Sequence, residues 1–199
     1  MYVLPQRLEP TEIILGAVAL YENIWPDYQE TITAIEEEEE KVSRFVRATL
    51  VNATNPSNYR SNYNMGITTA ANEGNETFRK LNNRFYDTLL AATQSYTETM
   101  MLDSLHHVEG YNLLRYRGGQ SYKAHFDGST RTRRAVSPIL YLNDDYEGGE
   151  IEFVHFQTKI KPTAGTLLIF PASYPYAHIA HPVTSGTKYA IVTWLHDHV

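Results

Sequence analysis

Cysteine is absent from the 199-residue sequence, which excludes disulfides and every zinc or iron–sulfur site built on thiolates. His, Asp and Glu are then the strong metal ligands left, a donor set suited to a hard or borderline ion. Long apolar runs are missing too. The longest, IILGAVAL at 13–20, is too short to span a bilayer and is bounded by Glu12 and Glu22. The N-terminus also lacks a basic leader region, so no membrane partner is expected, and the location expected is the cytoplasm, or the host cytoplasm for a viral protein. Positive charge is in deficit: the net charge is −6 and the largest charge run, Glu36 to Glu40, is acidic. Without a basic stripe to gather phosphates, no nucleic-acid partner is expected. No repeat or low-complexity linker divides the chain, and its 42% hydrophobic content suffices for one core. A single domain over 1–199 follows.

What the sequence does contain changes character near residue 109. Before it, residues 13–21 read as a buried strand, and Pro26 stands where a first helical turn tolerates it. Tyr28, Ile32 and Ile35 then recur at helical spacing, with the Glu run as a solvated far end. VSRFVRATLV at 42–51 alternates as a strand does, and NATNPSNYRSNYN at 52–64 is a polar loop rich in Asn and Tyr. Phe78, Leu81, Phe85, Leu89, Ala92 and Tyr96 predict a long amphipathic helix over 75–99 whose stripe is core. From 109 onward the period is two, in short strands joined by Gly-, Asp-, Asn- and Pro-rich turns. The fold class expected is α+β, mainly β: a jelly roll over 109–199, buttressed by strand and helices over 1–108.

Within that β half, YKAHFD at 122–127 places His125 and Asp127 two apart, so on a strand an imidazole and a carboxylate face the same way. A catalytic metal needs a third anchor remote in sequence. His178 and His181 in YPYAHIAHPV are both candidates, and since an odd separation sends them to opposite faces, only one can enter the same cavity. Lys188 lies just downstream and shares parity with Trp194; a lysine inside a barrel mouth is costly unless an anion meets it.

The ordered set Tyr116-x-x-Gly119-x-x-Tyr122-x-x-His125-x-Asp127, then YLNDDYEGGE, Gly165, Phe170, His178-x-x-x-Pro182-Val183-x-x-Gly186-x-Lys188 and Trp194 resembles the Fe(II)- and 2-oxoglutarate-dependent dioxygenases of the prolyl 4-hydroxylase type. The resemblance is close over 109–199 and loose before it. It implies a double-stranded β-helix, cupin-like jelly roll. It selects His178 over His181 as third metal ligand beside His125 and Asp127, because the family's distal His stands four residues before the Pro of Pro-Val. It implies Lys188 as the cation for the far carboxylate of 2-oxoglutarate, with Tyr116 and Trp194 also at the cosubstrate, and Tyr122, Arg134 and His196 at a bound peptide. The cofactors implied are Fe(II), 2-oxoglutarate and O2, with ascorbate in a supporting role. The reaction implied is hydroxylation of an unactivated C–H, expected on prolyl residues of a peptide or protein, with release of succinate and CO2. The triad itself, two neutral imidazoles and one carboxylate, leaves three coordination positions open.

The acceptor is the part these residues do not define: a free amino acid, another side chain or a nucleobase would use the same chemistry, and a non-catalytic jelly-roll binding module would keep the same shape. Ile151 stands where many members have Thr after GGE, so a hydroxyl there is absent. Loop 52–64 is expected as a lid, with Arg60 as an added contact. The remaining histidines take ordinary roles: His106 and His107 in a connection, His155 on a strand, His181 behind the ligands or outward, and His198 near the C-terminus. Glu150 is assigned no role: a turn carboxylate is ordinarily solvated, yet this turn belongs to the resembled pattern.

Overall fold

The computed structural model describes residues 7–49, 59–102, 105 and 107–197. In chain order the elements are β1 (Glu12–Ile14), β2 (Val18–Tyr21), α1 (Tyr28–Lys41), β3 (Val46–Arg47), β4 (Tyr63–Gly66), α2 (Ile67–Asn72), α3 (Glu76–Thr99), β5 (His107–Val108), β6 (Asn112–Arg117), β7 (Tyr122–His125) and β8 (Arg134–Tyr141). There follow β9 (Glu147–Gly148), β10 (Ile151–Phe153), β11 (Thr158–Ile160), β12 (Thr166–Pro171), β13 (His178–Ala180), β14 (Val183–Ser185), β15 (Thr187–Val192) and β16 (Leu195–His196).

The strands form two larger sheets, which enclose a common core, and a separate two-stranded ribbon. The larger runs β1-β2-β12-β8-β15-β6-β4-β3, with β16 paired to both β8 and β5; the smaller runs β11-β10-β13-β7, and β9 pairs with β14. The pairings around the cavity are antiparallel. The result is a double-stranded β-helix, and period-two alternation explains why it has two cores. On β6, β8, β12 and β15 one parity, with Leu113, Leu140, Leu167, Ile169 and Ile191, packs under the helices. The other parity, with Leu114, Tyr116, Ile139, Tyr141, Leu168, Phe170, Ala190 and Val192, points between the sheets. A one-residue slip in any of these strands would exchange the two sets.

The helices cover the outer face of the larger sheet. α3 begins at Asn75, whose side chain accepts from the Phe78 N–H at 3.0 Å. Its stripe of Phe78, Leu81, Phe85, Leu89, Ala92 and Tyr96 is buried in the outer core. Two tyrosines fix it to the hairpin beneath: Tyr21 donates to the Ala92 carbonyl at 3.0 Å and Tyr96 to the Ala17 carbonyl at 2.9 Å.

Four local expectations are corrected. The strand expected over 13–21 is a hairpin, β1 and β2, because Leu15 and Gly16 adopt left-handed conformations (φ 50° and 80°) and reverse the chain. The strand expected over 42–51 shrinks to exposed β3, with residues 50 and 51 outside the described residues. The end of the expected loop at 52–64 is the start of β4, held by β6 through Tyr63↔Arg115 and Asn64↔Leu114. His155 lies in a 3-10 turn, Val154–Phe156, where the chain leaves β10. His106 and His198 lie outside the described residues, as does most of loop 52–64, so its reading as a lid stays an expectation.

Candidate metal centre and cosubstrate cavity

The smaller sheet brings two histidines face to face. β13 and β7 pair with His178 opposite His125, and their ring centroids are 4.3 Å apart. Asp127 stands in the bend two residues past the end of β7, with one carboxylate oxygen 3.6 Å from His125 Nε2 and the other 3.7 Å from His178 Nε2. One donor atom from each of the three lies within 4.8 Å of the others.

The backbone sets the tautomers. His125 Nδ1 lies 2.8 Å from the Lys123 carbonyl and His178 Nδ1 lies 3.2 Å from that of Tyr176. A carbonyl only accepts, so each Nδ1 carries the proton and each Nε2 turns a lone pair toward Asp127. Burial, then the neighbouring His125, pushes the His178 imidazole down to about 4, so it is neutral at ordinary pH. Burial would raise the Asp127 carboxyl, but at the low pH where it would take up a proton the charged His178 and His125 rings beside it outweigh burial and hold it well below the usual carboxylate range, so it is anionic wherever the imidazoles are neutral. Packing locks the rings: Tyr122 stacks on His125 at 3.5 Å between centroids, and Phe170 packs edge-on to His178 at 5.0 Å. Two neutral nitrogens and one anionic oxygen, pre-aimed at one point, fit a ferrous ion and leave positions for other ligands.

This triad opens into a cavity of about 480 Å³ between the sheets. Across it, β15 and β6 set Lys188 opposite Tyr116. Lys188 is 3% exposed and donates to the Gly149 carbonyl at 2.5 Å. The rings of Tyr141, Tyr116 and Tyr146 surround its ammonium at 4.9, 5.5 and 5.7 Å. Burial still wins: it lowers the Lys188 ammonium from 10.5 to about 7, against an opposing pull from Glu150. The carbonyl it meets is placed by the turn at Gly148 and Gly149, both at positive φ; a Cβ on Gly148 would come within 2.3 Å of the Pro182 carbonyl oxygen. Tyr116, fully buried, keeps its phenol proton, with its pKa pushed up to about 12 by desolvation. Trp194 Nε1 is a buried donor with no acceptor among the described residues.

At the rim, Arg134 lies flat on the Trp194 ring, 3.4 Å from its centroid, and is held by Glu109 through two hydrogen bonds of 2.7 and 2.8 Å. His196 does not line the cavity; its Nε2 sits 3.0 Å from the same Glu109 carboxylate, so its place is beside Arg134. Tyr122 and Arg60 both line the cavity, the guanidinium 4.8 Å from the ring centroid. His181 is away from it, 2.6 Å from a Glu152 carboxylate oxygen. Ile151, where a hydroxyl is common in the resembled family, supplies only an apolar wall.

Residues 111–196 match the profile of the 2OG-Fe(II) oxygenase superfamily. These residues form a 2OG-Fe(II) oxygenase domain. The chain is 32% identical over 120 residues to a probable prolyl 4-hydroxylase 9 of Arabidopsis thaliana, covering 46% of this chain and 42% of that one. It is 38% identical over 96 residues to a PKHD-type hydroxylase of Klebsiella pneumoniae, covering 43% and 42%. It thus spans less than half the length of these curated relatives. The fold of the oxygenase domain and its buttress is that of a Trichoplax adhaerens prolyl hydroxylase, solved in complex with a hypoxia inducible factor peptide. The TM-score is 0.73 at 19% identity, over 92% of this chain and 84% of the other. The superfamily uses Fe(II), 2-oxoglutarate and O2, and the oxygenase domain has the donor set for the metal.

Glu109 was not singled out by sequence reasoning, because no spacing rule links it to Arg134. Ser137, Ile139 and Tyr141, on the inward parity of β8, were within reach of period-two reasoning once one inward residue was known.

Proposed function

We propose that this chain is an Fe(II)- and 2-oxoglutarate-dependent dioxygenase that hydroxylates prolyl residues in a peptide or protein. One observation carries the reading. His125, Asp127 and His178 open into the same cavity as Lys188, a buried cation that among the described residues contacts tyrosine rings and a carbonyl and makes no ion pair with a carboxylate. His125 and His178 would hold the metal through Nε2, and Asp127 through its carboxylate. When bound, Fe(II) with 2-oxoglutarate and O2 supplies the oxidation: the oxo acid loses CO2 and becomes succinate with one oxygen atom, and the other enters a substrate C–H bond as hydroxyl.

The protein's own part is placement. The protein contributes one negative charge at the metal, and Lys188 gives a charge-assisted bond to the distal carboxylate of the cosubstrate. Tyr116 and Trp194 are the neutral donors on the same wall, available to cosubstrate oxygens without adding charge. Leu114, Ile139, Ile151, Ala190 and Val192 make the cavity wall apolar and keep bulk water from the oxidised centre. Tyr122 and Arg134, on the open side, are placed to meet the acceptor, while His196 acts on it through Glu109 and Arg134. The prolyl acceptor is supported by the names of the relatives and by the peptide bound to the Trichoplax neighbour. The test is incubation with Fe(II), 2-oxoglutarate and prolyl peptides, followed by mass spectrometry. A gain of one oxygen on proline, matched by succinate, is the expected outcome; succinate formed only with free amino acids would reject the acceptor while leaving the chemistry.

A further inference from the structure

Cavity-lining cations outnumber cavity-lining anions: Arg60, Arg131, Arg134 and Lys188 stand against Asp127 alone. Most of this charge has an assigned counterpart. Arg134 is neutralised by Glu109. At the inner end, a divalent metal and protonated Lys188 would together balance Asp127 and a dianionic cosubstrate. Two arginines remain. Among the described residues the Arg60 side chain makes no ion pair: it bonds to the neutral side chain of Asn62, at 2.9 Å, and lies over the Tyr122 ring. Arg131 makes no side-chain ion pair among the described residues and is exposed. The backbone that carries it is held, because Ser129 and Thr132 clasp the turn: Ser129 N–H donates to Thr132 Oγ1 at 2.9 Å and Arg131 N–H to Ser129 Oγ at 3.2 Å.

Apart from Asp127, which a metal would engage, acids are also missing from the sequence on either side. No Asp or Glu occurs from residue 45 to 72 around Arg60, nor from 128 to 143 around Arg131, in a chain whose net charge is −6. Two unneutralised guanidinium groups at a mouth with apolar walls concentrate field there and favour an anionic partner. The geometry points to an acidic polypeptide as that partner: we infer that Arg60 and Arg131 select substrates carrying Asp or Glu beside the acceptor residue. This rests on the peptide-oxygenase reading above and deepens it. A nucleic acid is less well matched, since two arginines in an otherwise acidic protein make no track for successive phosphates.

The test measures binding apart from turnover. Three fluorescein-labelled peptides share one central proline and differ only in flanks of Asp, Ala or Lys; fluorescence anisotropy with the full chain at low salt gives their affinities. The acidic peptide is expected to bind about fivefold tighter than the alanine peptide, with the difference shrinking at high salt. Arg131→Glu, in an exposed turn, is expected to invert the order so that the lysine peptide binds best, and Arg60→Gln to reduce the preference. Equal affinities, no binding by any of the three, or an Arg131→Glu protein with unchanged preference would overturn the inference, as would displacement of the acidic peptide by a far tighter oligothymidylate. Mass spectrometry on the same mixtures reports the other reading separately: acidic preference without hydroxylation would leave this surface standing and reject the prolyl oxygenase.

Discussion

Lys188 is where a single residue ties stability to function. Its ammonium is lowered from 10.5 to about 7 by burial, so the folded, cosubstrate-free protein binds fewer protons than the unfolded chain between those values. Stability therefore rises with pH across that window, and the cost of the buried charge is fully present below about 7. A cosubstrate carboxylate reverses the preference by stabilising the charged form. Binding of 2-oxoglutarate should then take up a proton above pH 7, and affinity should fall as pH rises from there, which calorimetry in buffers of different ionisation enthalpy reads directly. An affinity independent of pH between 7 and 9, with no proton uptake, would remove Lys188 from the binding role. Lys188→Met should weaken the cosubstrate by at least about 2 kcal/mol while raising the melting temperature of the cosubstrate-free protein at pH 6. Tyr116→Phe, which removes one neutral donor, should weaken it by only about 1 kcal/mol. The loss of a hydroxyl at Ile151 is covered by packing, since its side chain is buried in the inner core.

The elements decide which of these residues meet. His125 and Asp127 were legible as a pair from their spacing, but not from alternation on one strand as expected, because β7 ends at His125 and Asp127 stands in the bend beyond it. The choice of His178 over His181 was not legible from spacing alone, because parity separates them without saying which faces inward. The register answers it: β13 pairs with β7 at His178↔His125 and with β10 at Phe153↔His178, while His181 lies past the strand beside Glu152. The hairpin at β1 and β2 escaped because Leu15, not a typical turn residue, takes a positive φ inside an apolar run. At the other end of the cavity, β16 pairs with β8 at His196↔Arg134, so two residues distant in sequence share Glu109. Glu109 acts as a positioning residue for Arg134. Glu109→Gln should leave 2-oxoglutarate affinity intact and raise the KM for peptide about tenfold, the loss expected for a charge-assisted bond worth ~1.5 kcal/mol. An equal fall in cosubstrate affinity would show that the substitution had disturbed the whole sheet.

At the scale of the molecule, two cores divide the work, one joining the helices to the larger sheet and one enclosing the site. The long amphipathic helix and the period-two half were readable because their apolar patterns run for many residues. The short β3 and β5 and the 3-10 turn at His155 were not, because each is a few residues placed by tertiary contact rather than by local preference. Phe85, fully buried in the outer core and edge-on to Tyr111 at 4.9 Å, tests the division. Phe85→Ala should cost about 3–5 kcal/mol in chemical denaturation yet leave metal affinity unchanged in the fraction that stays folded. The central claim concerns the inner core and is tested most directly by anaerobic titration with Fe(II) and 2-oxoglutarate, watching for the visible charge-transfer band of a metal-chelated oxo acid. The band should appear in the wild-type protein, persist in His181→Ala and vanish in His178→Ala. No band in the wild type, or one that survives His178→Ala and is lost in His181→Ala, would contradict the site described.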